Sequence, residues 1–359
     1  MQVIDYTQAA AVAPAFDNHE RVSLIQDSDS GLTALIAIHN TNLGPAVGGC
    51  RMYPYSDLRE ALHDVLRLSR GMTYKSALAG LPMGGGKAVI IGDPSIDKST
   101  GLLERMGEFI DAHGGEYVSA EDSGMCVADL QIMANKTRHV LGISKDQEYG
   151  GDPSPLTALG IFIGIEAAVK FKLSRTSLHG VRIAVQGAGS VGRYLIKQLV
   201  AAGAVVSTCD INAKNLELAA KLGASIVAPE DIYTTPADVF CPCAMGGIIN
   251  DETIKTLVAP IIAGGANNQL ALPRHANQVK QRDILYAPDF VINAGGIIEI
   301  YRQFNDESAA VSHAKISEIG RTLFEIFNSS EQLDATTAEI AERVAESRFS
   351  GVHTESNAA

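Results

Sequence analysis

Apolar residues fall into two rhythms along this chain. Short unbroken runs rich in β-branched residues, such as Thr33–His39 (TALIAIH) and Ala88–Ile91 (AVII), predict buried strands. Between them Leu58, Ala61, Leu62, Val65 and Leu66 recur at helical spacing, defining one apolar face of a helix over 57–72. Asp57 and Glu60 form a capping pair at its start. A second helix is predicted over 102–113, ended by Gly114-Gly115, with a strand at Glu116–Ser119 after it.

The strongest punctuation in the chain is Tyr149–Pro155 (YGGDPSP), where a domain hinge is expected. An apolar helix over 156–171 follows. Then strands at Val181–Val185, Val205–Thr208, Val239–Cys241, Pro260–Ala263 and Phe290–Ile292 are interleaved with helices starting at Ser190 and Asn212. Such alternation implies a parallel sheet covered on both faces. Helical patterns over 309–327 and 336–347 close the chain, the second with Thr336 and Glu339 as a capping box, and the polar tail after Phe349 is expected to fray.

Composition narrows the function classes. A chain of 359 residues exceeds what one hydrophobic core spans, so two domains are expected. A formal net charge of −12 repels phosphate backbones and argues against a nucleic-acid partner. The five cysteines lack metal-ligand spacing. Cys241-Pro-Cys243, too tight for a CxxC motif, reads as buried reduced thiols, and no metal is expected. No apolar stretch is long enough to span a membrane, and the N-terminus, with Asp5 and no basic region, does not read as a signal peptide. The expectation is a reducing, cytoplasmic setting.

The run Val181–Val185 leads directly into Gly187-Ala188-Gly189-Ser190-Val191-Gly192. This GxGxxG stands between a predicted strand and helix, the context a dinucleotide site requires. The first glycine permits the tight turn, the second lets the backbone approach a pyrophosphate, and the third lets the helix pack closely. The helix N-terminus offers N–H groups to the anion. Asp210, at the end of the next strand, can accept hydrogen bonds from ribose hydroxyls and would repel a 2′-phosphate, which favours NAD over NADP. Lys214 nearby weakens that preference modestly.

The unusual chemistry lies in GMTYKSALAGLPMGGGKAVII (71–91), where Lys75 and Lys87 sit among apolar and small residues. Desolvation and a second nearby cation both lower a lysine's pKa. One such lysine can act as a general base while the other grips a carboxylate; a solvated loop with a structural ion pair is the alternative. The triplet Gly84–Gly86 would permit close substrate approach. Leu81 and Ala88 stand where a P-loop needs glycine and Ser or Thr, which excludes that motif. In SAEDSG (119–124), Glu121 and Asp122 are candidates for proton transfer at a strand end, although the pair also suits a simple turn.

Together these segments resemble the glutamate/leucine/phenylalanine/valine dehydrogenase family, most closely its leucine-specific branch, over roughly residues 30–330. The resemblance rests on GPAVGGCRM (44–52), RGMTYKSALAGLPMGGGKAVI (70–90), SAEDSG, GAGSVG with CDIN (209–212), CPCAMGGIIN (241–250), GGANNQL (264–270) and YAPDFVINAGG (286–296). It implies an α/β protein of two domains with a cleft between them. The N-terminal substrate and oligomerisation domain would cover 1–148, with 325–359 packing back onto it, and a Rossmann-type NAD-binding domain would cover 149–324. A homo-oligomer is implied.

By the same resemblance Lys87 is catalytic, Lys75 binds the substrate α-carboxylate with backbone at Gly48 and Gly49, and Asp122 exchanges protons with the amino group. Asn268 and Asn293 hold nicotinamide and substrate. The implied reaction takes a hydride from Cα, adds water to the iminium with Lys87 as base, and releases a 2-oxo acid and ammonium. Glutamate-specific members carry a lysine at the position of Val47 and a serine at that of Ile300. With Val47, Ala120, Ile297 and Ile300 the side-chain pocket is apolar, and burying an unpartnered carboxylate there costs several kcal/mol. Leucine, valine and isoleucine are favoured, with phenylalanine and tryptophan as alternatives; a catalytically silent NAD-binding sensor is a further alternative, against which Lys75, Lys87 and Asp122 are all present. Glu299 departs from the pattern.

Overall fold

The computed structural model describes residues 3–143 and 152–350. The chain divides into two compact units. One holds the chain up to Asp152, Gln303–Glu307 and the chain from Ala345 on; the other holds Pro153–Arg302 and Ser308–Val344. The expected hinge at Tyr149–Pro155 lies partly outside the described residues.

The first unit is built on a mixed six-stranded sheet of order β1-β2-β3-β5-β4-β6. Its strands are β1 (Val3–Asp5), β2 (Arg21–Asp27), β3 (Leu32–Asn40), β4 (Ala46–Tyr53), β5 (Gly84–Ile91) and β6 (Tyr117–Glu121). Strands β1, β2, β3 and β5 pair antiparallel, whereas β5, β4 and β6 pair parallel. The short helix α1 (Thr7–Ala10) precedes β2, and α2 (Leu58–Leu78), α3 (Thr100–Asp111) and α4 (Val127–Ala134) follow. Asp57 caps α2 as expected, accepting from Glu60 N at 2.8 Å. The helix runs on through the MTYK segment, because Leu78 and Ala77 continue its buried stripe.

Strand alternation sorts the core into two faces. Leu35, Ala37 and Val89 pack with Ala61, Leu62, Val65 and Leu66 of α2. Ile36, Ala46, Cys50, Met52, Ala88 and Ile90 pack with Leu102, Met106 and Phe109 of α3 and Leu130 and Met133 of α4. The triplet Gly84–Gly86 opens β5, which starts ahead of the strand predicted from Ala88. A Cβ at Gly84 would stand 2.1 Å from Asn40 O and one at Gly85 2.1 Å from Thr73 N. These glycines let strand and helix approach.

The second unit carries an all-parallel sheet of order β12-β11-β10-β7-β8-β9, the doubly wound order of dinucleotide-binding domains. After α5 (Ser154–Leu173) come β7 (Arg182–Gln186), α6 (Ser190–Ala201), β8 (Val205–Cys209), α7 (Ala213–Lys221), β9 (Ser225–Ile226), β10 (Val239–Pro242), α8 (Thr253–Thr256), β11 (Ile261–Ile262), α9 (Arg274–Gln281) and β12 (Leu285–Tyr286). Helices α10 (Asp289–Ile292), α11 (Gly295–Phe304), α12 (Ala309–Leu333) and α13 (Thr337–Ser350) end the described chain.

Two expectations are corrected here. Phe290–Ile292 is helical rather than a strand: Pro288 opens the turn and Asp289, gripped by Tyr286 Oη at 3.0 Å, starts it. The return to the first unit begins at Ala345, not at 325, because α12 belongs against α5. Phe324 and Phe327 close on Phe171 with ring centroids 5.5 and 5.3 Å apart. From Ala345 on, Arg348 Nη1 donates to Ala77 O and Leu78 O, both at 2.9 Å, and Tyr74 Oη donates to Glu346 Oε1 at 2.8 Å. Thr336 and Glu339 form the expected capping box of α13.

Candidate active site

In the first unit the site is assembled by strand register. Val47 pairs with Gly85 and Val118, Gly49 with Ala120 and Arg51 with Val89, while Lys87 pairs with Ala37. Paired residues of neighbouring strands point to the same face. Val47, Arg51, Lys87 and Ala120 therefore share the α2 face, and α2 carries the half-buried Lys75 in its last turn. Asp122 follows two residues after Ala120, on the same side. Glu121 alternates to the other side at the exposed end of β6.

Lys87 is 4% exposed, and its Nζ donates to Asp122 Oδ2. Arg51 Nε donates to Asp122 Oδ1 at 2.8 Å, and Arg51 Nη1 to Asp64 Oδ2 at 2.8 Å; Tyr55 Oη donates to the same Asp64 oxygen at 2.6 Å. Two cations and two carboxylates thus neutralise one another, as burial requires. Burial alone would raise the Asp122 carboxyl, but the Lys87 ammonium and Arg51 guanidinium outweigh it and hold it well below the usual carboxylate range. With both cations beside it, Asp122 accepts from them and fixes the position of Nζ.

Gly48 and Gly49 are buried strand residues. A Cβ at Gly48 would lie 1.8 Å from Gly86 O, and one at Gly49 2.7 Å from Asp122 Cβ. Gly49 thus makes room for the carboxylate of the cluster. The Gly48 carbonyl accepts from Tyr117 Oη at 2.7 Å.

The second unit offers a backbone cradle. Gly187 has φ +101°, a conformation that favours glycine. A Cβ at Gly192 would stand 2.1 Å from Gly187 O, whereas one at Gly189 would meet nothing within 4 Å. Helix α6 starts at Ser190 with no side chain among the described residues capping its N–H groups, so Ser190, Val191 and Gly192 present an uncapped helix end there. Ala188 N donates to Asp210 Oδ2 at 2.7 Å, and Asp210 Oδ1 accepts from Asn212 N at 2.8 Å and Asn215 Nδ2 at 3.3 Å. Open space at Gly189, free helix N–H groups and a carboxylate at the next strand end fit a dinucleotide.

Asn268, exposed, holds the left-handed φ of +51°, its N–H bound to Asp289 Oδ2. Asn293 is buried, with Nδ2 donating to Gly265 O at 3.1 Å and Asn267 Oδ1 at 2.9 Å. Its Oδ1 has no partner among the described residues. Ile297 is buried on α11 and Ile300 half-buried. Glu299, the departure from the family pattern, is a strut: Arg302 Nη2 donates to Oε1 at 2.6 Å and Ser312 Oγ of α12 to Oε2 at 2.9 Å.

Sequence reasoning missed Arg51, Asp64 and Tyr55. The available signal was Arg51 itself, a charge inside the buried run Ala46–Met52. Among the described residues no group of three or more His, Cys, Asp or Glu is placed to hold a metal, and no helix is long and apolar enough to cross a membrane.

Family models for the Glu/Leu/Phe/Val dehydrogenase dimerisation domain and for glutamate/leucine/phenylalanine/valine dehydrogenase match residues 19–139 and 211–348. Leucine dehydrogenase of Geobacillus stearothermophilus is 46% identical over 333 residues, covering 92% of this chain and 91% of that protein. Phenylalanine dehydrogenase of Lysinibacillus sphaericus is 43% identical, covering 94% and 90%. The crystal structure of L-tryptophan dehydrogenase from Nostoc punctiforme matches with a TM-score of 0.81 at 39% identity, over 94% of this chain and 97% of that one. With two domain models in order and relatives matched over nearly their whole length, the chain belongs to the glutamate/leucine/phenylalanine/valine dehydrogenase family and is an amino-acid dehydrogenase.

Proposed function

We propose that the chain deaminates an apolar L-amino acid oxidatively, with NAD as hydride acceptor, giving the 2-oxo acid and ammonium. Leucine, valine and isoleucine are the preferred substrates. The observation that carries this reading is Val47, fully buried on the same sheet face as Lys87 and two residues from Gly49. Where a glutamate-specific enzyme needs a cation, this face offers Val47 and Ala120, and an unpaired substrate carboxylate there costs several kcal/mol. The phenylalanine- and tryptophan-oxidising relatives support a second reading, in which an aromatic side chain is taken instead.

In this proposal Lys75 grips the substrate α-carboxylate. A nicotinamide cofactor held by Gly187–Gly192 and Asp210 would supply the hydride acceptor, and loss of the Cα hydride would leave the substrate as an iminium. Lys87, held by Asp122, would act here as the neutral amine and take a proton from water as its oxygen adds to the iminium carbon. Asp122 exchanges protons with the substrate nitrogen, and the carbinolamine collapses to 2-oxo acid and ammonium. Gly187–Gly192 would hold the pyrophosphate and Asp210 the adenosine ribose, where its charge opposes a 2′-phosphate. Asn293 Oδ1, unsatisfied in its buried place, is suited to accept an N–H from the carboxamide or the amino group. The first unit, matched by the dimerisation model, would mediate a homo-oligomer.

The test is the rate of NAD reduction with each of the twenty L-amino acids. Leucine, valine or isoleucine should give the highest kcat/KM. If phenylalanine or tryptophan leads, the second reading replaces the first, and if glutamate leads, the assignment of Val47 is wrong.

A further inference from the structure

Strand β10 ends in Cys241-Pro242 and runs straight into Cys243-Ala244. Side chains two apart on an extended chain lie on one face, and here the two sulfurs are 3.7 Å apart in a thiol–thiol contact. Cys241 is fully buried, whereas Cys243 is half-buried. The hydrogen bond shared with Cys241 draws the Cys243 thiol below its ordinary value, opposed by burial and aided by the Gly265 N–H; burial pushes Cys241 up. Cys243 is the member that an oxidant can reach, and Cys241 lies fully buried behind it.

The pair adjoins the glycine loop. Cys243 N donates to Gln186 O, the last residue of β7, at 2.7 Å. A Cβ at Gly187 would stand 2.8 Å from Ala244 Cβ and 3.1 Å from Cys243 C. One at Gly192 would stand 3.9 Å from Cys243 Cβ, and one at Gly264 2.4 Å from Pro242 O. Backbone on both sides of Cys243 thus packs at glycine distance, with no slack to absorb a shift.

We propose that Cys241 and Cys243 form a hydroperoxide-sensitive thiol pair whose closure to a disulfide disables the adjoining dinucleotide cradle. The inference rests on Gly187–Gly192 being that cradle. The Cys243 thiolate attacks a peroxide oxygen, breaking the O–O bond. The leaving alkoxide or hydroxide takes a proton, and Cys243 becomes a sulfenic acid. Cys241 sulfur then attacks the Cys243 sulfur. Its own proton and the departing hydroxyl leave as water. Two thiols lose two electrons and two protons, and the peroxide is reduced to alcohol, or water, plus water. A disulfide holds its sulfurs about 2.05 Å apart, so they must close by about 1.6 Å from 3.7 Å. With Pro242 wedged against Gly264, this movement falls on the backbone around Cys243 and so on Gly187.

The experiment treats the full-length protein with hydrogen peroxide. NADH binding is followed by fluorescence titration and the thiols by peptide mass spectrometry, with Cys126→Ser, Cys241→Ser and Cys243→Ser as comparisons. Peroxide should join Cys241 to Cys243 and weaken NADH binding at least tenfold, in wild type and Cys126→Ser alike, and dithiothreitol should restore it. Cys243→Ser should show no peroxide effect. Cys241→Ser should carry a Cys243 sulfenic acid that a dimedone probe traps, which serves even if Cys243→Ser fails to fold. The proposal is overturned if both thiols survive excess peroxide, if the disulfide forms with NADH affinity unchanged, or if oxidation at exposed Cys126 accounts for the loss. Failure of the reduced wild type to bind NADH would sink the cradle assignment instead, since mass spectrometry reads the thiol pair independently.

Discussion

The two units prepare for chemistry in opposite ways. On the first sheet the groups proposed to do the chemistry are charged side chains taken out of water: Lys87, Asp122, Arg51 and Asp64 neutralise one another on the α2 face. On the second, the groups proposed to hold the cofactor are backbone N–H groups, and what the sequence must supply is the absence of side chains at Gly187, Gly189 and Gly192. Glycine serves both, for different reasons. Gly48, Gly49 and Gly85 let buried strands and α2 close up around the charges, whereas Gly189 faces open space. Substitution should therefore damage chemistry or folding in the first unit and ligand affinity in the second.

The largest effect should come from the lysines. Lys87→Ala removes the proposed base and should lower kcat by ~10²–10⁴-fold, with NADH binding retained because the cradle lies on the other unit. Lys75→Ala should instead raise the substrate KM strongly, since lost ground-state binding appears first in KM. Steady-state kinetics on folded variants separates the two. A folded Lys87→Ala enzyme with wild-type kcat would remove Lys87 from the mechanism, and exchanged phenotypes would exchange the roles.

Next comes a pair of glycines. A Cβ at Gly48 would overlap Gly86 O at 1.8 Å inside the sheet, so Gly48→Ala must shift a strand and should cost about 3 kcal/mol or prevent folding. Gly189→Ala meets nothing within 4 Å and should melt like wild type while binding NADH several-fold more weakly, because its methyl projects where a pyrophosphate would approach. Thermal denaturation and NADH titration on both variants decide it. If Gly189→Ala binds normally, the open space is not the pyrophosphate site.

This contrast also explains what could be read from the sequence. The second site is local: strand, GxGxxG, helix and Asp210 lie within one stretch of chain, so motif and context were both visible. The first is not. Lys87 and Asp122 stood out as charged groups in apolar or strand-end settings, but that Arg51 bridges Asp122 to Asp64 depends on the register of β4 between β5 and β6, which local patterning does not encode. Gly84–Gly86 reads as room for substrate approach and falls outside the strand predicted from Ala88, because glycine is a poor strand former, and only the nearness of Thr73 and Asn40 shows why it is needed in β5. Phe290–Ile292 misled in the other direction, a β-branched run overridden by Pro288 and the Tyr286–Asp289 hydrogen bond.

Acid sharpens the comparison further. His39 is buried in the first unit, its Nδ1 2.8 Å from Thr73 Oγ1 and its ring edge-on to His19 at 4.8 Å, with Asp17 Oδ2 3.9 Å from Nε2. Burial, then the His19 charge, lowers its pKa to about 4, and Asp17 opposes this only partly. The folded pKa lies below the unfolded value near 6.5. The stability it contributes is therefore complete above pH 6.5 and lost as pH falls towards 4, in total about 3 kcal/mol. Urea denaturation at pH 7 and pH 5 should show a steeper loss for wild type than for His39→Gln. Equal slopes would mean that His39 protonates without penalty.

The smallest effect should fall on cofactor choice, and it tests the cradle at its carboxylate. Asp210 does two things at once. It ties down the glycine loop through Ala188 N at 2.7 Å and orders its own turn through Asn212 N at 2.8 Å. In the proposed complex it also accepts from a ribose hydroxyl and repels a 2′-phosphate. Asp210→Asn keeps an acceptor oxygen for the loop but removes the charge, whereas Asp210→Ser shortens the side chain and removes both. If charge sets the preference, both variants should shift the NAD-to-NADP ratio of kcat/KM towards NADP by about tenfold, equivalent to ~1.4 kcal/mol. Only Asp210→Ser should also lose ground with NAD, through the loosened loop. If loop order is all that Asp210 supplies, Asp210→Ser will weaken NAD and NADP equally and Asp210→Asn will change neither. The ratio, measured on two variants, therefore separates an electrostatic filter from a backbone tie.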